Sequence, residues 1–188
     1  MAEILTPEGP LYAWLLGPRY AVLPEIVRQM HDVTPRVTAE GISTVSHGTS
    51  WLARVMVRLL RLPRAGGARR LRVTFERLGA VEVLARRYDD AILTTHQMAA
   101  GPAGSALLSE RFGPLTLIIR LEPSSTALEF VIATARWFGL PVPRALRPRV
   151  EAREFVADGW YRFDVRIALP LVGPLIRYDG RLRIVGTD

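Results

Sequence analysis

Among its 188 residues the sequence contains no cysteine, no lysine and no asparagine. The lack of cysteine excludes disulfide bonds, thiolate nucleophiles and thiolate metal sites together. All 25 basic residues are therefore arginine. That composition is typical of a GC-rich genome, because lysine and asparagine use AT-rich codons.

The chain carries a formal net charge of +7, which on its own suggests a nucleic acid as partner. The arginines are scattered, however, and no compact basic block or base-stacking motif is present. Several alternate with apolar residues in the manner of a solvated sheet face: Arg70, Arg72, Arg162, Arg166, Arg181 and Arg183. We therefore expect no nucleic-acid partner.

Targeting and membrane signals are lacking as well. Residues 1–8 contain acids where a signal peptide needs positive charge. The longest apolar stretch, residues 167–176, is short and contains Pro170 and Pro174, so it does not fit a membrane-spanning helix. The sequence predicts a cytoplasmic protein without stable membrane insertion, built as a single domain over residues 1–188.

No motif of known chemistry interrupts the chain. There is no Gly-x-Ser-x-Gly elbow and no glycine-rich phosphate loop. His31, His47 and His96 lie in separate segments, without the spacing that places two ligands on one helical face. The sequence therefore predicts no catalytic residue, no metal site and no cofactor.

The strongest pattern is a period of two, which is typical of strands with one buried face. Arg36–Ser46 is the first such segment. Leu78–Gly79 and Asp158–Gly159 have the composition of hairpin turns. Nine further strands are predicted near residues 69–77, 80–88, 90–98, 105–111, 115–122, 127–137, 149–156, 160–169 and 175–185.

Helical periodicity occurs in two places. Residues 8–32, within an N-terminal section 1–34, predict two short helices. Residues 50–62 predict an inserted amphipathic helix, whose apolar stripe is Trp51, Leu52, Val55, Met56, Leu59 and Leu60, with Arg54, Arg58 and Arg61 opposite. Three placements stay open for this helix: over one mouth of a barrel, on the outside of the sheet, or at a membrane surface.

These elements predict a mainly β fold over residues 35–188. We expect an antiparallel barrel of eight to nine strands, lipocalin-like in outline, because closure removes the exposed strand edges. An eight-stranded barrel is either filled by side chains or holds one small ligand. If the apolar faces point inward, the predicted ligand-binding wall is Phe75, Leu117, Ile119, Phe130, Ile132, Phe163, Ile167 and Tyr178, together with Trp51 of the inserted helix. The alternative is an ordinary filled core.

Five acids lie within predicted strands rather than in turns: Glu76, Glu110, Glu151, Glu154 and Asp164. In one interpretation they belong to a charged outer face. In the other, some lie inside with arginines, where a perturbed carboxyl group serves as acid or base. The sequence leaves both open.

Several segments carry a resemblance to a known family: residues 11–17 followed by His31–Asp32, and residues 73–77, 110–115 and 162–171. Nearly the whole chain resembles an actinobacterial family of uncharacterised domains, found alone or fused to saccharopine-dehydrogenase-like and short-chain oxidoreductases. It is also similar to small accessory barrel proteins of enediyne polyketide clusters of the dynemicin type. The resemblance supplies no catalytic residues, but it implies specialised metabolism and an apolar substrate.

Two functions follow as expectations. The first is a binding protein for an elongated hydrophobic molecule, such as a polyene polyketide or a fatty-acyl chain. The second is a cofactor-independent cyclase or isomerase acting on the same molecule. We also expect a homodimer on the helical elements or on the strand near 127–137, because Trp14, Trp51, Trp137 and Trp160 exceed what one core needs.

Overall fold

The structure is a computed structural model that describes residues 7–187. Of the N-terminal segment 1–8, residues 1–6 lie outside the described residues. The elements, in chain order, are α1 (Leu11–Leu16), a 3₁₀ turn (Gly17–Val22), α2 (Glu25–His31), β1 (Arg36–His47), α3 (Trp51–Leu59), β2 (Gly66–Leu78), β3 (Val81–Arg87), β4 (Ile92–Ala99), β5 (Leu107–Phe112), β6 (Leu115–Pro123), β7 (Ala127–Trp137), β8 (Leu140–Pro141), a second 3₁₀ turn (Arg144–Leu146), β9 (Arg149–Ala157), β10 (Trp160–Leu169) and β11 (Gly173–Thr187).

Ten of these strands form a closed antiparallel barrel. Apart from the short β8, which pairs only with β7, each strand pairs with the strands before and after it in the chain. The pairing of β11 with β1 closes the ring. The mainly β, antiparallel barrel is confirmed, but the expected eight to nine strands is too few. All ten alternating segments join one ring, because β7 pairs with both β6 and β9. The lipocalin-like outline stays a prediction.

The predicted hairpin turns are present. Asp158 and Gly159 both have positive φ, 54° and 71°, between β9 and β10. Two successive positive φ angles match the right-handed twist of the flanking strands, and the Asp-Gly pair tolerates them well. This turn places Tyr161 opposite Val156 and thereby determines which side chains of β10 point inward.

One end of the barrel is closed by α1, the first 3₁₀ turn and α2, which together we call the plug. The backbone N–H groups of Gly104 and Ala106 donate to the carbonyls of Trp14 and Leu15, and so hold α1 against the β4–β5 loop. The plug buries a continuous apolar face that includes Leu11, Leu15, Leu16, Val27 and Met30. Helices this short gain their stability from such packing rather than from propensity.

Helix α3 lies at the other end, which we call the mouth. The Ser50 hydroxyl caps the helix by accepting from the Ala53 N–H, and it donates to the Val172 carbonyl of the β10–β11 hairpin. Beyond the helix, the Arg64 N–H donates to Asp90 of the β3–β4 hairpin. Helix α3 therefore follows the rim of the mouth, with Ala53 buried on its inner side. Within residues 7–187 no helix is long and apolar enough to cross a bilayer.

Candidate functional site

The barrel interior changes character from one end to the other. At the plug end the inward side chains are buried, among them Val37, Val73, Phe75, Leu84, Leu108, Ile119, Leu121, Leu128 and Phe130. Toward the mouth the inward side chains are only half-buried, namely Leu93, Leu117, Ile132, Val150, Val165, Ile167, Leu169 and Tyr178. A ten-stranded ring is wider than the eight-stranded ring that side chains fill. The plug covers one end only. We call the region of the interior toward the mouth, where the inward residues are half-buried, the chamber.

The structure brings together eight of the nine predicted wall residues. Phe75, Ile119, Phe130 and Phe163 are buried in the lower barrel. The other four inward residues lie on the chamber wall: Leu117, Ile132, Ile167 and Tyr178. The ninth residue, Trp51, does not join them, because its side chain is 65% exposed on α3. Whether any of these residues contacts a ligand stays a prediction.

The five strand acids divide between the two faces of the sheet. Glu76 and Asp164 point outward and pair with Arg36 at 2.5 Å and with Arg177 at 3.0 Å. The third outward acid, Glu151, has a largely exposed side chain. The remaining two acids, Glu110 and Glu154, point inward. Three of the acids therefore belong to the outer face and two lie inside the barrel. Whether an interior carboxyl group serves as acid or base stays a prediction.

At the floor of the chamber lies a small cavity of about 50 Å³. Apolar and polar side chains line it together, among them Phe75, Arg86, Tyr88, Glu154, Tyr161, Phe163 and Tyr178. The volume suits a few water molecules or a small polar group. Convergent ionisable groups around such a space are the usual mark of a functional site.

Glu154 is held from below by His31 of the plug. His31 Nε2 lies 2.6 Å from Glu154 Oε2. The imidazole ring stacks on Tyr12 with centroids 3.8 Å apart, and Phe75 meets it edge-on at 5.4 Å. The histidine side chain is fully buried, whereas that of Glu154 is 15% exposed. This arrangement orients the carboxylate toward the cavity.

A second polar group lies on the β3–β5 side of the chamber. Thr95 Oγ1 donates to Glu110 Oε1 at 2.7 Å, and Arg86 Nη2 lies 3.5 Å from the same oxygen. The Arg86 and Glu110 side chains are about one-fifth exposed. Arg86 also lines the cavity beside Glu154. The guanidinium thus pairs with Glu110 while it borders the cavity, and its Nη1 donates to Thr95 Oγ1 at 3.4 Å.

Glu82 ties α1 to the barrel wall. Its Oε1 accepts from the Leu11 N–H at 3.1 Å, and nearby the Tyr12 hydroxyl donates to Gln97 Oε1 at 3.2 Å. Burial raises the pKa of the Glu82 carboxyl above its ordinary value, and the hydrogen bond from Leu11 only partly opposes this. The second oxygen, Oε2, has no protein partner.

The interior tyrosines are protonated over the whole physiological range. Burial raises the pKa of Tyr178 to about 12. Burial likewise raises the pKa of Tyr12 and Tyr161 well above 10, and the nearby Glu154 charge adds to the effect. Their hydroxyl groups are therefore neutral hydrogen-bonding groups near the chamber floor, with no role as nucleophilic phenolates.

Sequence reasoning missed three residues that organise this site: His31, Glu82 and Arg86. In β3 the sequence offered one indication of these residues: Glu82 and Arg86 alternate on the same strand face as Leu84 and Tyr88. The opposite face of β3 is just as apolar, so alternation alone did not show which face is buried. Among residues 7–187 there is no cluster of three or more histidine and acidic side chains placed to hold a metal ion.

The barrel also has a larger depression on its outer face, with a volume of about 1290 Å³ across β11, β1 and β2. Arginines and acids both line it, including Arg70, Arg72, Arg183, Glu40 and Asp89. Arg183 lies over the Trp160 ring at 3.8 Å. Mixed charges that pair with each other are typical of a solvated face. We therefore take the chamber, with its buried ionisable groups, as the candidate site.

Comparison with known proteins gives one match. A family model described as a domain of unknown function (DUF4166) matches residues 23–182. No curated protein and no solved structure matches the chain. The matched residues include α2, α3, nine complete strands of the barrel and the first ten residues of β11.

Proposed function

The chain belongs to the DUF4166 family, and we propose that its barrel binds one elongated hydrophobic molecule through the mouth. The observation that supports this proposal is the change in burial along the interior. Apolar inward side chains such as Leu117, Ile132 and Ile167 are only half-buried, whereas the inward side chains at the plug end are excluded from water. An apolar chain placed among them removes their surface from water.

The polar groups at the floor give this molecule an orientation. The floor cavity of about 50 Å³ is too small for a chain but admits an end group. Arg86 and the protonated Tyr178 hydroxyl both border it, while Glu110 already pairs with the guanidinium and Glu154 lines the same cavity. A carbonyl or hydroxyl end fits this environment better than a second full negative charge.

Two ligand classes meet these requirements. A fatty-acyl chain and a polyene polyketide are both long, apolar and polar at one end. The resemblance to accessory proteins of enediyne clusters favours the polyene and a cytoplasmic place in specialised metabolism. The apolar lining supports either class.

Native mass spectrometry tests the proposal with a matched pair of substitutions. Ile132→Trp places a large ring inside the chamber, whereas Ile42→Trp makes the same change on the outer face, where Ile42 is 37% exposed. We expect a one-to-one complex with the methyl ester of a long-chain fatty acid or with a polyene for the wild type and for Ile42→Trp. We expect Ile132→Trp to weaken it by about tenfold or more, since a filled pocket excludes the chain.

The result that would overturn the proposal is equally direct. If none of the three proteins retains either ligand, or if Ile132→Trp binds as the wild type does, the chamber is not the binding site. Thermal unfolding of both variants checks that the mouth residue has not simply disrupted the barrel.

A second candidate function is a cofactor-independent cyclase or isomerase. The observation that favours it is the pairing of Glu154 with buried His31 beside the cavity. A carboxylate fixed in this way is suited to take a proton from a carbon next to a carbonyl group and return it at another carbon, a transfer that consumes no co-reactant. Arg86 and Tyr178 are placed to hydrogen-bond the carbonyl oxygen as negative charge develops there.

Carboxyl replacements separate this candidate from simple binding. Glu154→Gln is expected to abolish proton exchange into a bound enolisable ketone, while Glu110→Gln reduces it and the outward replacements Glu76→Gln and Asp164→Asn leave it unchanged. Exchange is followed in D₂O by mass spectrometry. Equal exchange in all five proteins, or none in the wild type, removes the enzymatic candidate and leaves binding alone.

A further inference from the structure

The mouth of the barrel is surrounded by exposed apolar side chains. Trp51, Val55 and Leu59 lie on one outward face of α3, at i, i+4 and i+8, and are between 52% and 72% exposed. Leu171, at the tip of the β10–β11 hairpin, is 91% exposed. Phe138 and Leu140, in the connection between β7 and β9, are 76% and 72% exposed. We call these six residues the apolar rim.

Hydrogen bonds and strand pairs show that the rim is continuous. The Ser50 hydroxyl donates to the Val172 carbonyl, which places the start of α3 beside the β10–β11 hairpin. On the other side of that hairpin, Ala168 pairs with Arg149, the first residue after the β7–β9 connection. Three separate chain segments therefore form one arc around the mouth. An apolar arc of this extent is unusual for a surface that meets only water.

The rim is embedded in positive charge. Residues 48–64 and 136–149, which carry five of the six rim residues, contain eight arginines and no acid. Arg54 and Arg58 lie beside the apolar face of α3 and are exposed. Two acids at this end, Asp89 and Asp90, lie in the β3–β4 hairpin, and Asp90 is already bound to Arg64 and Arg69. A third, Glu151 near the start of β9, lies 3.8 Å from Arg166. The apolar rim and its arginines therefore match a partner that is both apolar and negatively charged.

We propose that the apolar rim docks the barrel, mouth first, onto the surface of an anionic lipid membrane. Tryptophan, phenylalanine and leucine enter the boundary between head groups and acyl chains, while the flanking arginines contact anionic head groups. The i, i+4, i+8 face of α3 then lies in the plane of the interface. This inference concerns the outer rim and does not depend on what the chamber holds.

The charge pattern disfavours a second copy of the chain as the occupant. A two-fold contact places the same patch on both sides, so exposed arginines such as Arg54 and Arg58 would face their own copies without an acid from either segment to pair with them. A bilayer rich in anionic lipid supplies the missing charge and the apolar layer together.

Vesicle co-sedimentation tests the proposal. The full chain is mixed with vesicles of phosphatidylcholine alone and with vesicles containing phosphatidylcholine and phosphatidylglycerol in roughly equal parts. We expect binding to the mixed vesicles and at least tenfold weaker binding to phosphatidylcholine, since each arginine near an anionic surface strengthens binding severalfold. Salt at about 1 M, where the screening length is about 3 Å, should release most of the protein.

Matched variants locate the contact on the rim. Arg54→Gln with Arg58→Gln should weaken binding by about tenfold, whereas Arg120→Gln with Arg153→Gln removes the same charge from the barrel side and should have little effect. Trp51→Ser with Phe138→Asn should also weaken binding strongly, with asparagine chosen because Phe138 has φ 48°. Leu78→Ser, a residue 59% exposed at the opposite end, is the control.

Three outcomes would overturn the proposal. Equal binding to both kinds of vesicle would show that the arginines do not recognise anionic lipid. If the protein binds neither kind, a membrane is not the partner of the rim. The third outcome is a solution mass of twice 21.0 kDa by light scattering that returns to one chain in Trp51→Ser with Phe138→Asn. That result would assign the rim to a second copy of the chain instead.

Discussion

His31 of α2 and Glu154 of β9 lie 123 residues apart in sequence, and their side chains meet at 2.6 Å inside the barrel. The contact joins the plug to the wall across the chamber floor. It therefore has two consequences at once, one for the stability of the plug and one for the position of the carboxylate.

The first prediction concerns this contact. His31→Ala leaves a cavity between Tyr12 and Phe75 and deprives Glu154 of its partner, so we expect a loss of about 3 kcal/mol in the free energy of unfolding. Glu154→Ala should cost less, and the double variant should cost less than the sum of the two. Urea unfolding of the four proteins measures the coupling. If the stability losses of the two single variants add up to the loss of the double variant, the prediction is wrong. Gln29→Ala, on the exposed face of α2, is the control.

A second prediction uses the buried Glu82 carboxyl, whose folded pKa lies above the ordinary 4.5. The folded protein then binds this proton more tightly than the unfolded chain does. The contribution of Glu82 to stability is therefore greatest below about pH 4.5 and declines as the pH rises through the folded pKa. Glu82→Gln should remove this decline and so gain stability relative to the wild type as the pH increases.

Thermal unfolding between about pH 4 and about pH 8 measures the stability difference between the wild type and Glu82→Gln. Taking this difference cancels the titration of the groups that the two proteins share. A difference that does not change with pH would contradict the assignment. Glu76→Gln, which makes the same change at an exposed acid on the neighbouring strand, is measured in parallel as the matched substitution outside the barrel.

A third prediction concerns the five tyrosines. Burial raises the pKa of every one of them above 10. The folded protein should therefore show almost no tyrosinate absorbance at about pH 10, where the phenols of an unfolded chain are half ionised. Folding favours the protonated form, so stability falls as the pH rises above about 10.

Ultraviolet titration should consequently show one abrupt increase in tyrosinate absorbance that coincides with loss of the β signal in circular dichroism. The same chain in guanidinium chloride should titrate smoothly around pH 10. A gradual titration of the folded protein near pH 10 would show that the tyrosines are accessible to water.

A fourth prediction concerns a close approach inside the barrel. Gly180 of β11 lies under the Phe163 ring, and a Cβ there would come within 2.7 Å of the ring and still nearer to the Ile42 carbonyl oxygen. Gly180→Ala should therefore lower the free energy of unfolding by about 2 kcal/mol or more. Gly186→Ala, on the same strand with no atom near its Cβ position, should be nearly neutral. Equal effects of the two substitutions on denaturant unfolding would contradict this view.

Much of the fold could be predicted from the sequence because it depends on local pattern. The alternation of β10 separates Tyr161 and Phe163 from Arg162 and Asp164, and in the structure the first pair lies inside the barrel and the second pair outside. The number of strands in the ring could not be predicted in the same way. Closure depends on whether β6 and β7 continue the ladder, and that pairing leaves no mark on the alternation of either strand.

The candidate site was less accessible to prediction because it depends on long-range contacts. In β3, Val81 and Val83 lie on the outer face while Glu82 and Arg86 lie inside. A face with two charged residues resembles a solvated one until the partners Glu110 and Leu11 are in place. His31 likewise had no sequence feature that connected it with a strand acid 123 residues away.

The pairing of β1 with β11 affects how the chain folds during its synthesis. Val37 lies opposite Thr187, so every strand from β2 to β11 must leave the ribosome before the two strands can meet. Until then β1 has an unpaired edge, of the kind that recruits other nascent chains. Contacts between such distant segments form slowly, and the yield of folded protein should therefore depend on how well chaperones shield β1 during synthesis.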